Sequence, residues 1–188
     1  NAPTVQDYVN AGVTGVTATN LGAVNNAVAA AAAGQADSTA EIQGLAAPAI
    51  VAAAEAQAAA LGAIDNWAAD SSNPANAPTV QDYVNAGVTG VTAANLGAVN
   101  EAIGNAQAGQ ADSLAEIQPL VDNILTSIAA AAEALQKIQN WASDDSSPAN
   151  APSTADYLAA GVVGVTLTNL LVVTEAIAGV DGVAADSL

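Results

Sequence analysis

The first eighteen residues of the chain recur without a change at positions 76–93, and a diverged copy opens at Asn150. Over 38 aligned positions the first two copies share 32 identities and the second and third share 20, at offsets of 75 and 74 residues. Self-similarity at a fixed period means that each copy is one structural unit and that the chain is an array of such units. The copies divide the chain into 1–75, 76–149 and a partial third copy at 150–188 that holds only the first two of three elements.

Each complete copy reads as three helices. The first opens on a capping box, in which a hydroxyl and a carboxylate three residues on satisfy the free amides of a helix start. The pairs are Thr4 with Asp7, Thr79 with Asp82 and Ser153 with Asp156, each preceded by a proline that keeps the chain extended: Pro3, Pro78 and Pro152. Gly12, Gly87 and Gly161 close this helix, since glycine adopts positive φ at little cost. A β-branched joint follows at 13–17, 88–92 and 162–166, after which Thr17, Thr92 and Thr166 are placed to cap a second helix. Leu21, Val24 and Val28, repeated as Leu96, Val99 and Ile103, give that helix one apolar face, and Gly34 and Gly109 end it.

The third helix is the longest. It starts at the boxes Ser38 to Glu41 and Ser113 to Glu116 and runs to Trp67 and Trp141. In the second copy Leu114, Ile117, Val121, Ile124, Ile128, Ala131, Leu135 and Ile138 are spaced three and four apart, as in a heptad seam. Roughly 28 residues at the helical rise span about 40 Å. Pro48 and Pro119 fall inside the pattern, where a proline kinks a helix or delays its start. Glu41 to Trp67 is one residue longer than Glu116 to Trp141, a phase difference of about 100° around the axis. The linkers at 70–78 and 144–152, with two prolines among small polar residues, are short, semi-stiff joints. The expected fold is all-α: a tandem array of three-helix-bundle repeats of about 75 residues, each packing its short helices against its own long one.

Hydrophobic residues make up 52% of the chain, but most are alanine, with no Phe or Met, so the core is built from Val, Leu, Ile and closely approaching Ala. Eighteen acidic residues face a single base, Lys137, for a net charge of −17. Such a surface cannot neutralise phosphates, so nucleic acid is excluded as a partner and anionic lipid is disfavoured. Charge of one sign also keeps identical chains apart. The alanine-rich runs 28–33 and 128–132 are too short to cross a bilayer, so no membrane insertion is expected. Cysteine is absent, which removes disulfides, thiolate zinc sites and thiol nucleophiles. The chain opens without Met or a charged-then-apolar leader, as expected of a mature or excised segment.

Without His or Cys the common general bases and thiol nucleophiles are missing. Lys137, flanked by Gln136 and Gln139 on a regular helix, reads as part of a solvated face rather than a Ser-Lys dyad. Paired carboxylates of the glycosidase kind need a deep cleft that short, alanine-rich helices seldom form. The chain is not expected to be an enzyme, and no catalytic residue is assigned. Asp144, Asp145, Ser146 and Ser147, and Asp181 with Asp186, offer oxygen ligands near turns, but without the alternation of an EF-hand loop. Helix-end capping and solvation account for them better; no cofactor is expected, and calcium is the weaker alternative. Trp67, Trp141, Tyr8, Tyr83 and Tyr157 hold equivalent places in their copies. In a chain without Phe, such rings plug bundle ends rather than forming a carbohydrate platform.

The third copy is the most apolar. Leu170, Leu171, Val172 and Val173 replace a Leu-Gly-Ala-Val run, and Val163 and Leu167 replace Thr and Ala. With its long helix cut off at Ala185-Asp186-Ser187-Leu188, this copy has more apolar surface and less cover. Val163, Leu167, Leu170, Leu171, Val172, Val173 and Ile177 are therefore a candidate self-association surface; the alternative is a covering helix that follows Leu188.

The run Pro3 to Thr17, followed by Asn20 to Asn25 and Ala36 to Gln43, resembles the three-helix GA-like repeats of very large bacterial surface adhesins, type I secreted and of the biofilm-associated or RTX type. The resemblance implies a stalk or spacer that carries distal binding domains away from the cell, an extracellular or cell-surface location, and no catalytic residues. Its partners would be the neighbouring repeats. Two other functions fit the residues: a filament subunit that self-associates through the third copy, and a binding module for a host protein or glycan. The second draws on the differences between positions 26, 28, 29, 30 and 32 and positions 101, 103, 104, 105 and 107, which cluster on the second helix.

Overall fold

A computed structural model of the protein describes residues 1–107, 109–178 and 180. The described residues are all-helical, without a strand, in eight α-helices: α1 (Val5–Asn10), α2 (Leu21–Ala29), α3 (Thr39–Ala69), α4 (Val80–Ala86), α5 (Leu96–Gly104), α6 (Leu114–Ser143), α7 (Thr154–Ala159) and α8 (Leu170–Ala178). Two compact units are present, Asn1–Val121 and a second that begins at Asp122. The division falls inside α6, not at the copy boundaries after residues 75 and 149.

The short helices start where the capping boxes put them. The boxes of Thr4, Ser38, Thr79 and Ser153 all have both arms in place, and the Ser113 hydroxyl donates to Glu116 at 2.8 Å. Helix α1 ends in a Schellman motif: Val13 N–H donates to the Tyr8 carbonyl at 2.9 Å and Gly12 N–H to Val9 at 3.0 Å, with Gly12 at φ +78°.

The second helix departs from expectation at both ends. Helix α2 starts at Leu21, so Thr17 is not its cap. Instead the Asn20 side chain accepts from Thr17 N–H at 2.8 Å and donates to the Gly15 carbonyl at 2.9 Å, clamping the β-branched joint. Asn95 and Asn169 repeat the clamp on Thr92 with Gly90 and on Thr166 with Gly164. The Asn amide carries its acceptor and its donor on separate atoms, so one side chain reaches both the Thr N–H and the Gly carbonyl. At the other end α2 stops at Ala29 and α5 at Gly104, several residues before Gly34 and Gly109, which hold positive φ in the turns that follow.

Helices α3 and α6 continue past their prolines, so neither start is delayed. Pro48 and Pro119 lie on the solvent side. The carbonyls they deprive of a partner, four residues back at Gly44 and Ala115, belong to exposed residues that water can reach. Helix α3 is long and apolar enough to cross a membrane by length and composition, which the separate alanine runs did not suggest.

Packing extends the expectation that each long helix serves its own copy. The first half of α3 does so: Ala46, with Ile42 and Ile50, packs on Tyr8, Val13, Val16 and Val24. The Thr39 hydroxyl donates to the Ala11 carbonyl at 2.8 Å, and the Gln43 amide bridges the N–H and carbonyl of Thr14 at 2.7 and 3.3 Å. Beyond Gln57, which donates to the Ala86 carbonyl at 3.1 Å, α3 packs against α4 and α5 of the next copy. Ala60, Ile64, Trp67 and Ala68 are buried along that half. The joint after α4 is met by the first turns of α6, where Gln118 bridges Thr89 as Gln43 bridges Thr14. A helix of about 30 residues outruns two short helices, and its remaining apolar face needs other cover. The seam of α6 is correspondingly interrupted: Ile117 and Val121 are buried, Ile128 is exposed and Ile138 is buried again.

Candidate functional site: the repeated joint and the open face of the third copy

A second recurring side-chain geometry surrounds the tryptophans. The Trp67 indole N–H, at the end of α3, donates to the Asn100 carbonyl on α5 at 2.7 Å. The Asn100 side chain accepts from the Tyr83 hydroxyl at 2.7 Å and donates to the Pro78 carbonyl at 2.9 Å. All four residues are buried. One asparagine thus ties the long helix of the first copy to both short helices of the second and to the proline that leads into them. Burial, with the charge of Asp82, pushes the Tyr83 hydroxyl up and keeps it a donor. Space here is tight: a Cβ on Gly104 would stand 2.8 Å from Ser71 Cβ. In the second unit Trp141 donates to the Thr174 carbonyl at 3.0 Å, while the Thr174 hydroxyl takes the place of the Asn amide, 3.5 Å from Tyr157 Oη. The first copy has the Tyr8, Asn25 and Pro3 arrangement, with Asn25 less buried. The five aromatic rings are buried, which removes an exposed carbohydrate platform.

The linkers are built as well. Asp70 and Asp144 accept from the N–H groups of Ser72 and Ser146 at 3.0 Å, and one turn of 3₁₀-helix follows at Pro74–Asn76 and at Pro148–Asn150. The side chains of the same serines, and then these N–H groups, hold both carboxyls below the ordinary range. Asp144 thus serves a turn, and among the described residues no group of three or more acidic side chains is placed to hold a metal ion. Asp181 and Asp186 lie outside the described residues.

Lys137 is not simply solvated. Its ammonium meets Asp156 at 2.7 Å, and the same carboxylate accepts the Ser153 N–H and hydroxyl of the α7 capping box. Burial alone would raise Asp156; the hydrogen bonds from Lys137 and Ser153 outweigh it and hold the carboxyl at about 2. The pairing spans 19 residues and has no counterpart in the other copies, where Ala63 stands in place of Lys137. An open concavity of about 710 Å³ beside it is lined by Glu133, Gln136, Asn140 and Asp144, which bring no nucleophile next to a base.

The seven residues proposed for self-association separate into two sets. Val163 and Leu167 are 83% and 86% exposed, and Leu171 and Val172 are also exposed. Leu170, Val173 and Ile177 are half-buried. Leu158, which replaces Val9 and Val84, is a further exposed apolar residue that the sequence reading missed. No family model, curated protein or solved structure matches the chain.

Proposed function

We propose that this chain is a non-enzymatic spacer from an extracellular bacterial adhesin or fibre, an all-α tandem array whose output is reach. The observation that carries the reading is the double service of α3: its start covers the short helices of one copy and its end, through Trp67 and Asn100, those of the next. A helix shared in this way couples neighbours mechanically, so that one cannot turn freely on the other, and extension is kept under load. The buried aromatic rings serve packing rather than a surface for substrate. Small-angle scattering on chains of one, two and three copies tests it. The maximum dimension is expected to grow by up to about 40 Å per copy. Growth like that of a single compact globule would overturn the spacer.

A second reading, a self-associating filament subunit, is favoured by one observation, the exposure of Val163 and Leu167 in the third copy. Light scattering across concentration separates the two, since a strictly monomeric chain rejects the filament.

A further inference from the structure

The ends of the two long helices are tied to the short helices that follow them by different chemistry. Where α3 meets α4 and α5, the ties are neutral hydrogen bonds. Gln57 donates to the Ala86 carbonyl at 3.1 Å, and the Asn100 amide accepts from Tyr83 at 2.7 Å while donating to the Pro78 carbonyl at 2.9 Å. Where α6 meets α7 and α8, both side chains are replaced. Aligned on the tryptophans, Ala131 stands for Gln57 and has no polar group to offer. Thr174 stands for Asn100, and a hydroxyl has one proton to give. That proton goes to the Leu170 carbonyl at 2.7 Å, so the Thr174 side chain donates nothing to the Pro152 carbonyl, and its contact with the Tyr157 hydroxyl is stretched to 3.5 Å.

Lys137, the only base in the chain, lies at this second joint. It stands one turn before Trp141, on the same side of α6, and its ammonium reaches Asp156 on α7 at 2.7 Å. With Ala63 at that place on α3, the matching Asp82 accepts from Thr79 of its own capping box.

We propose that Lys137 is a replacement latch: its ion pair restores the hold on α7 that the loss of Gln57 and Asn100 removes, and it makes the joint of α6 with α7 and α8 the one that loosens as ionic strength rises. The contrast in exposure and charge decides which joint responds. The side chains of Lys137 and Asp156 are 41% and 22% exposed, within reach of screening ions. Asn100 and Tyr83 are buried, and the bonds between them carry no net charge to screen. Glu133 and Asp144 line the concavity beside Lys137 and, being acidic, cannot stand in for it. The chain holds no second base to take over when the pair is screened. One joint is thus fixed by neutral bonds, and the other is set by the salt around it.

Hydrogen exchange of the two indole N–H groups in the intact chain, read by NMR, tests this with an internal reference. Trp141 Nε1–H donates to Thr174 and reports the α6 joint, whereas Trp67 Nε1–H donates to Asn100 and reports the α3 joint. Lys137→Met is expected to speed exchange at Trp141 relative to Trp67 by about two- to fivefold, the range of a partly exposed ion pair. Raising the salt from about 0.05 to about 0.5 M, which shortens the screening length several-fold, should do the same in the wild type and in Lys137→Arg and nothing further in Lys137→Met. Adding Thr174→Asn to Lys137→Met should return protection to Trp141 and leave it indifferent to salt. Equal acceleration at both indoles, no change at Trp141 in Lys137→Met, or a salt response that survives that substitution would each overturn the latch. Scattering that contradicts the spacer would leave these ratios unmoved, so the two readings fail separately.

Discussion

At the scale of single residues, Asn100 has the most to lose. It is the shared partner of Tyr83 and Pro78, and its own carbonyl takes the Trp67 indole. Asn100→Ala leaves a buried hydroxyl and a buried carbonyl without partners, a loss of about 2–3 kcal/mol in denaturant unfolding. Asn25→Ala, where water reaches the equivalent amide, should cost about 1 kcal/mol. Asn100→Thr should fall between wild type and the alanine variant, because Thr174 fills this place in the third copy with a weaker contact to its tyrosine. Asp156 sets a pH dependence of definite sign. Its carboxyl is depressed from 3.8 to about 2 in the fold, so the stability it contributes is complete above about pH 4 and is lost as the pH falls toward 2. The capping carboxylates Asp7 and Glu41 are shifted in the same direction by their hydroxyl and amide donors. Lys137→Met should raise the midpoint of that acid loss, followed by circular dichroism, while costing under about 1 kcal/mol at neutral pH, since the lysine is partly exposed.

At the scale of elements, Pro48 is the clearest case of a local rule set aside by its surroundings. It sits well inside α3, on the solvent side, where it removes one hydrogen bond to Gly44. Pro48→Ala restores that bond in an exposed position and should stabilise the first unit by about 1–3 kcal/mol in urea unfolding. Failure to stabilise would mean that the proline shapes a bend on which the two ends of α3 depend. The same helix shows how far the sequence could be read. Capping boxes and the glycines that close α1, α4 and α7 were legible because both partners sit within five residues of each other, so spacing alone fixes the geometry. The asparagine clamp had a signal, an Asn at 20, 95 and 169, but the neighbouring Thr is an equally good cap on paper. The cover on the second half of α3 was not legible: a three-four pattern says which residues seek burial and is silent on which copy buries them. Lys137 and Asp156 lie on separate helices, and no local pattern joins them.

At the scale of the whole molecule, the sequence repeat and the packing unit are out of phase, and this can be tested with fragments cut by the two rules. The repeat ends at residue 75, yet Ile64 and Trp67 of α3 are buried, the helix packs on α4 and α5, and Trp67 donates to the Asn100 carbonyl, all beyond that cut. A fragment of residues 1–75 keeps the core of Tyr8, Val13, Val16, Val24 and Ala46 but exposes the far half of α3. A fragment of residues 1–121 keeps both ends of α3 covered, since α4, α5 and the first turns of α6 are all present. Each fragment contains Trp67 as its single tryptophan, so indole emission reads the joint directly. The longer fragment is expected to give blue-shifted emission, poorly quenched by iodide, with one cooperative transition. The shorter should give red-shifted, fully quenched emission and fraying from the Trp67 end. Adding residues 76–121 in trans to the shorter fragment should move its emission toward the blue, because the missing cover is a docked element rather than a covalent need. Equal emission from the two fragments would mean that each sequence copy closes its own core, and the coupling between neighbours on which a stiff spacer depends would be lost with it.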